Sequence, residues 1–177
     1  MPSVQADAGG PSRLPASAYP TPPSAHPTVS LHPRLKGLFL PRPRAPRRHV
    51  IESKQLAAAA AHLADLKKAL DIKVYDVGDQ IKVADWFVVV TAPSRPHVKA
   101  VTQELHVRLK AIGERHTRAE GAETGWWVLL DYGDVVVHIL QPEAREFYEI
   151  DQLYGDCPVL DWQEVELPEL PEPSNHR

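Results

Sequence analysis

The chain has 177 residues, a length that suits one domain plus an extension. Its composition is that of a globular protein, with 43% hydrophobic and 24% charged residues, apart from 18 prolines. A single cysteine, Cys157, excludes an intrachain disulfide and a cysteine-based zinc site, and no apolar run approaches the roughly 18 residues of a membrane span.

The first predicted segment is a basic, proline-rich arm over residues 1–52. Residues 1–50 hold 11 prolines and carry a charge of +6, whereas the rest of the chain carries −9. Clusters such as PTPPSAHP and PRPRAPRR predict extended, disordered chain. Three origins stay open: a disordered arm, a transit peptide for an organelle, and an extension read from an upstream start. The arginines of 42–48 either contact RNA or form a solvated tail.

The pattern changes at Ser53, which is a plausible N-cap for a helix ending near Asp71. Its apolar positions recur at helical spacing: Leu56, Ala59, Ala60, Leu63, Leu66 and Leu70. IKVYDV (72–77) then predicts a strand. ADWFVVVTA (84–92) contains a short continuous apolar run, which favours a strand buried on both faces at the centre of the sheet.

A second helix is predicted to begin after Ser94, with Pro96 tolerated in its first turn. Its apolar stripe consists of Val98, Val101, Leu105, Leu109 and Ile112. Gly113 is a good residue to end the helix. The polar residues 114–125 are predicted to form a loop.

Residues 126–140, WWVLLDYGDVVVHIL, have the pattern of a β-hairpin with a turn at Tyr132-Gly133-Asp134. Asp131 and Asp134 could begin a metal or acid/base site, but only His138 is at hand as a further ligand. Because Asp beside Gly also suits a tight turn, we favour the turn, with His138 as a hydrogen-bonded structural residue.

The adjacent tryptophans of this hairpin point to opposite faces of the sheet. Trp127, Leu129 and Asp131 share one face. An exposed Trp–Leu pair there would be a binding patch, since Trp is enriched among interface hot spots. The alternative is that helices cover both faces, in which case Trp127 belongs to the core.

A third helix is predicted to run from Pro142 to Gly155, with Phe147, Ile150 and Leu153 or Tyr154 on its apolar face. The acidic tail, residues 163–177, is predicted to be disordered. The order α-β-β-α-β-β-α predicts an α/β domain over residues 53–162, with a mixed β-sheet flanked by helices.

Enzyme classes find little support in these residues. A nucleotidyltransferase needs closely spaced acids on adjacent strands, and Asp85 is followed by no second acid. The chain has no glycine-rich phosphate loop and no G-x-S-x-G elbow, and Cys157 precedes a proline. From the residues alone, the domain is interpreted as a docking module, with RNA binding through the arm as a further hypothesis.

Several segments together resemble the Iojap family of ribosomal silencing factors. They are LADLKKALDIKVYDV, VADWFVVVTA with PSRPHVKAV, WWVLLDYGDVVVHIL and REFYEIDQLYGDCP, in that order over roughly residues 55–162. The resemblance implies a nucleotidyltransferase-like fold without the catalytic carboxylates. It also implies a cytoplasmic translational repressor that needs no cofactor, metal, membrane or small-molecule substrate.

The implied partner is the large ribosomal subunit, through its protein number fourteen, where the bound factor blocks joining of the small subunit under nutrient limitation. An assembly factor of the same family in a mitochondrion or chloroplast is the alternative. A homodimer and an rRNA contact through the basic arm are further implied associations.

The resemblance also implies which residues bind the partner. Trp127 is expected to be the anchor, and the full expected set is Trp127, Leu129, Asp131, Tyr132, Asp134, Ser94, His97 and Lys99. Ser94 ends the segment 91–94 before the second helix, and His97 and Lys99 follow it. In this region the chain departs from the family pattern. Ala92 stands in place of the usual Gly and Pro96 in place of a polar residue, which weakens the expectation for that loop.

Overall fold

The computed structural model describes residues 50–115 and 118–170. The arm before residue 50 and the end of the tail after residue 170 therefore lie outside the described residues. The elements in chain order are α1 (Ser53–Leu66), β1 (Leu70–Asp76), β2 (Trp86–Thr91), α2 (Arg95–Ala111), β3 (Arg118–Glu120), β4 (Trp127–Asp131), β5 (Val135–Leu140), α3 (Pro142–Phe147) and α4 (Ile150–Leu153).

The five strands form one sheet in the order β1-β2-β5-β4-β3. β2 and β5 pair in parallel and the other neighbours are antiparallel, so the predicted mixed sheet flanked by helices is confirmed. β2 is buried on both faces, as predicted, but its predicted central place is wrong. The β4–β5 hairpin adds to the free edge of β2, which places β5 in the centre.

The two faces of this sheet are covered by different helices. α1 and α2 cover what we call the helical face, which includes Val88, Val90 and Val137. The short helices α3 and α4 cover the opposite side, called the aromatic face, which includes Phe87, Trp127 and Leu140. Every strand of the hairpin therefore contributes to two cores.

Local sequence explains where the long helices begin and end. α2 starts after Ser94, whose side chain accepts a hydrogen bond from the His97 backbone N–H, and Pro96 lies in the first turn, as predicted. Gly113 follows the helix with φ +93, a conformation that favours glycine. α1 is shorter than predicted and ends at Leu66, because Lys68 turns the chain with φ +60 and β1 already begins at Leu70.

Two elements differ from the sequence prediction. The loop predicted over 114–125 contains the edge strand β3, whose three residues pair with β4 and are too few and too polar to show a strand pattern. The third helix is broken in two, because Glu149 adopts a left-handed conformation with φ +49 between α3 and α4. This break rotates the residues after it relative to those of α3.

The start of the described chain and residues 163–170, after α4, pack against the domain without forming helix or strand. The backbone N–H groups of Val50 and Ile51 donate to the buried Glu114 carboxylate, at 2.6 and 3.3 Å. Leu167 and Leu170 pack against the core of the helical face, so residues 163–170 differ from the predicted disorder. Leu167 and Leu170, three residues apart, supply the apolar contact that the acidic composition concealed.

Candidate partner-binding surface

The two carboxylates of the hairpin belong to its turn. Asp131 accepts a hydrogen bond from the Gly133 backbone N–H at 2.7 Å, and Gly133 has φ +92. The Tyr132 N–H donates to the Val135 carbonyl at 2.9 Å, which closes the hairpin. The turn interpretation is confirmed, and the side chain of Tyr132 is buried on the core side.

Trp127 lies in the core of the aromatic face, so the expected exposed Trp–Leu pair is wrong. Its side chain is only 5% exposed and that of Leu129 is 9% exposed. The physical reason is the cover formed by α3 and α4: the rings of Trp127 and Tyr148 lie 4.9 Å apart between centroids. A partner that reached Trp127 directly would first have to displace Tyr148.

His138 is the polar partner of Trp127 beneath this cover. The Trp127 indole Nε1–H donates to His138 Nδ1 at 3.2 Å, which requires the imidazole proton to be on Nε2. His138 is 1% exposed, and burial lowers its pKa to about 3, so the ring is neutral. The predicted structural role of His138 is confirmed.

The other expected contact residues lie at the opposite end of the sheet from the DYGD turn. Leu140 pairs with Trp127, and Val135 begins β5 beside the turn, five residues or about 17 Å away. Ser94 and His97 follow Ala92, whose N–H donates to the Leu140 carbonyl. The structure therefore does not bring all eight expected residues into one surface.

Ser94 and His97 also have structural contacts of their own. Ser94 caps α2, and His97 Nε2 lies 2.6 Å from the Lys67 carbonyl oxygen, to which it must donate. That hydrogen bond satisfies a carbonyl at the C-terminus of α1. Lys99 is exposed on α2. Ser94 is exposed as well, whereas His97 is half-buried.

Phe147 is the exposed aromatic residue that sequence reasoning missed. Its side chain is 62% exposed at the end of α3, and its ring lies 5.0 Å from that of Tyr148. Three rings thus form a series from core to surface: Trp127, Tyr148 and Phe147. Helical spacing assigned Phe147, Ile150 and Leu153 or Tyr154 to a buried face. Ile150 and Tyr154 are buried, whereas Leu153 is 41% exposed. No sequence signal marks the left-handed residue that produces this arrangement.

Three exposed glutamates, Glu143, Glu146 and Glu149, lie within four residues of Phe147 in the chain. Residues 119–170 contain 13 Asp and Glu and one basic residue, Arg145. That arginine is buried, and its Nε donates to Asp151 at 2.7 Å. Hydrogen bonds from Arg145, Lys73 and Tyr75 hold the pKa of the Asp151 carboxyl well below its usual range. With 13 acidic residues and one basic residue, residues 119–170 carry a net charge of −12.

The described ranges offer neither a metal-binding cluster nor a membrane-spanning helix. Residues 50–115 and 118–170 contain no group of three or more His, Cys, Asp or Glu side chains placed to hold a metal ion. Among the helices in those same ranges, none has the length and apolar character needed to cross a membrane.

Comparison with known proteins gives a consistent family. The family model described as "Ribosomal silencing factor during starvation" matches residues 50–177. Ribosomal silencing factor RsfS of Bacillus subtilis is 33% identical over 111 residues, which cover 63% of this chain and 94% of that protein. The mouse protein named "Mitochondrial assembly of ribosomal large subunit protein 1" is 30% identical over 91 residues, covering 50% of this chain and 40% of its own length.

A solved structure supports the same assignment. The crystal structure of a protein from Chromobacterium violaceum is similar with a TM-score of 0.58 and 29% sequence identity, covering 71% of this chain and 98% of that one. The family model and this structural match coincide with the domain that carries the two-faced sheet.

Proposed function

The chain belongs to the family of ribosomal silencing factors, and from this membership we propose that the protein binds the large ribosomal subunit and represses translation. The bound factor blocks joining of the small subunit sterically, through contact with protein number fourteen of the large subunit. The family description names starvation, so we propose that repression occurs under nutrient limitation. This mechanism requires a rigid body with a specific docking surface and no cofactor.

The observation that supports this proposal best is the charge of the domain. The 13 acidic residues within 119–170 would repel rRNA phosphates, whereas they complement a basic protein surface. A ribosomal protein that itself contacts rRNA carries such lysines and arginines. The acidic character of residues 119–170 therefore favours a protein on the subunit over bare rRNA as the partner.

We place the docking surface on the cover of the aromatic face, with Phe147 as its anchor. Exposed aromatic side chains in a polar surround are typical interface hot spots. Trp127 supports this surface from beneath through Tyr148, and the half-exposed Asp131 lies on the same side of the sheet. Ser94, His97 and Lys99 lie at the start of α2, which covers the helical face, and remain outside the proposed surface.

A subunit-joining experiment tests the proposed function. Purified full-length protein is incubated with isolated large subunits, small subunits are added, and joining is followed by light scattering or gradient sedimentation. We expect the protein to sediment with large subunits and to reduce joining in proportion to its occupancy. Normal joining at saturating occupancy would contradict the steric mechanism, and absence of co-sedimentation would contradict binding itself.

A non-enzymatic role is part of the same proposal. Asp85, the one acid of residues 84–92, lies immediately before β2, and its backbone N–H donates to the Asp134 carbonyl at 2.8 Å beside the hairpin turn. A residual nucleotidyltransferase would bind nucleotide in a metal-dependent manner that Asp85→Asn abolishes. We expect titration of the wild-type protein with nucleotide and Mg²⁺ to give no binding signal.

The alternative is an assembly factor for the large subunit in an organelle, as the name of the mouse relative states for that protein. The bacterial relative instead favours a cytoplasmic repressor. Fusion of residues 1–49 to a fluorescent reporter distinguishes the two locations. Import and removal of the arm would identify a transit peptide, whereas a diffuse, uncleaved reporter favours the cytoplasm.

A further inference from the structure

A groove with an apolar floor lies beside the outer edge of β1. Its volume is about 590 Å³, and it is bounded by the end of α1, the start of β1 and residues 159–163. The side chains of Leu70 and Val159, which line it, are 50% and 60% exposed, and the half-buried Trp162 also faces it. Leucine, valine and tryptophan together in one open groove mark a place where another segment can bury apolar surface.

The rim of this groove is acidic. Asp65, Asp71 and Asp161 are exposed lining residues, and no lysine or arginine is among the residues that line it. A segment that fits must therefore combine apolar side chains with positive charge.

The N-terminal arm contains such a segment. Residues 34–40 read RLKGLFL, and arginines continue at 42, 44, 47 and 48. Four large apolar side chains and two basic ones thus lie within seven residues. The family model begins at residue 50, so this segment is a feature of the chain outside the family pattern.

The distance between the arm and the groove matches the length of the connecting chain. The described chain begins at Val50, which is tied to Glu114 near the start of α1. The 14 residues of α1 separate that point from the groove by about 21 Å. The ten residues from Leu40 to Val50 reach at most about 33 Å when extended, so the apolar segment can lie in the groove of its own domain.

A second acidic segment lies beside the start of α1. Gln55, in the first turn of α1, donates to the backbone carbonyl of Glu166 at 3.3 Å. Glu164, Glu166 and Glu169 are exposed in this segment. The segment therefore lies beside the start of α1 and close in sequence to the arginines of 42–48, and its negative charge favours docking of a basic arm.

We infer that residues 34–40 of the arm dock in the groove beside β1 of the same molecule, with Leu38 and Phe39 against its apolar floor. The docked arm covers the exposed Leu70 and Val159 and holds the basic residues of 42–48 along α1. This inference concerns a surface on the β1 edge and does not depend on the proposed ribosome binding.

Limited trypsin digestion of the full-length protein tests the inference. Trypsin cleaves after Arg34 and Lys36 in the docked segment and after Arg13 in the same arm, which serves as the internal control. We expect cleavage after Arg34 and Lys36 to be at least about tenfold slower than after Arg13, because cleavage requires the undocked state. Equal rates would overturn the inference.

Two variants and one control sharpen the result. Leu70→Ser with Val159→Ser should remove the protection, and so should Phe39→Ser, which leaves the folded domain unchanged. Val107→Ser alters a side chain of α2 that is 44% exposed, and it should keep the protection. Protection that survives in both groove and arm variants would contradict docking at this site.

Protein concentration decides whether the docking is intramolecular. We expect the same protection at low and high concentration. Protection that rises with concentration would assign the groove to the arm of a second copy and would overturn docking within one molecule.

Discussion

The helical face of the sheet is packed by two long helices with alanine, valine and leucine, whereas the aromatic face is covered by two short helices with rings and buried polar groups. α1 and α2 have 14 and 17 residues, and α3 and α4 have six and four. The aliphatic core needs only periodic apolar residues. The aromatic core depends on hydrogen bonds at fixed positions, among them those of His138 and Arg145. Its thin cover also leaves Phe147 in solvent.

The largest expected effect comes from removing the centre of the aromatic core. Trp127→Ala should lower the free energy of unfolding by about 3–5 kcal/mol, because a large buried ring leaves a cavity. Trp127→Phe keeps a ring but removes the donor to His138, and should cost about 1–3 kcal/mol. Chemical denaturation measures both. A cost under about 0.5 kcal/mol for the alanine variant would mean that the aromatic face is open.

A smaller effect should appear as a pH dependence that only the aromatic core has. The pKa of His138 is lowered to about 3 in the folded state, against about 6.5 in the unfolded chain. The unfolded state therefore binds more protons between these values. The contribution is fully present above about pH 6.5 and is lost as pH falls, by up to about 1.4 kcal/mol per pH unit.

His138→Gln provides the comparison for that measurement. The free energy of unfolding of this variant should fall less steeply than that of the wild type between pH 7 and 5. Denaturant titrations at several pH values measure it for both proteins. Parallel curves for the two proteins would show that His138 is not held neutral by burial.

The smallest expected effect on stability is at the surface of the aromatic face. Phe147→Ser should change the free energy of unfolding by no more than about 0.5 kcal/mol, since its side chain is 62% exposed. A loss of several kcal/mol would place Phe147 in the core. It would then not differ from Trp127 in the way that the proposed docking surface requires.

The difference between the faces also explains which parts the sequence could predict. The cap at Ser94, the stripe of α2 and the hairpin turn at Gly133 depend on neighbouring residues, so local patterns reveal them. The burial of Trp127 depends on α3, which follows it in the chain, and its own strand gives the same alternation for either outcome. Phe147 was assigned to the wrong side because Glu149 breaks the helix without a glycine or proline to mark the position. The resemblance to a family identified the domain but not the side chains that reach its surface.

Binding of the Phe147→Ser variant to isolated large ribosomal subunits tests the central claim most directly. Val107→Ser is the matched control, because it replaces another exposed apolar side chain on the far side of the sheet. In co-sedimentation with full-length proteins, the control should bind as the wild type does. Phe147→Ser should bind at least about tenfold more weakly, as expected for loss of an interface anchor. A folded Phe147→Ser variant that binds large subunits with wild-type affinity would contradict the proposed docking surface.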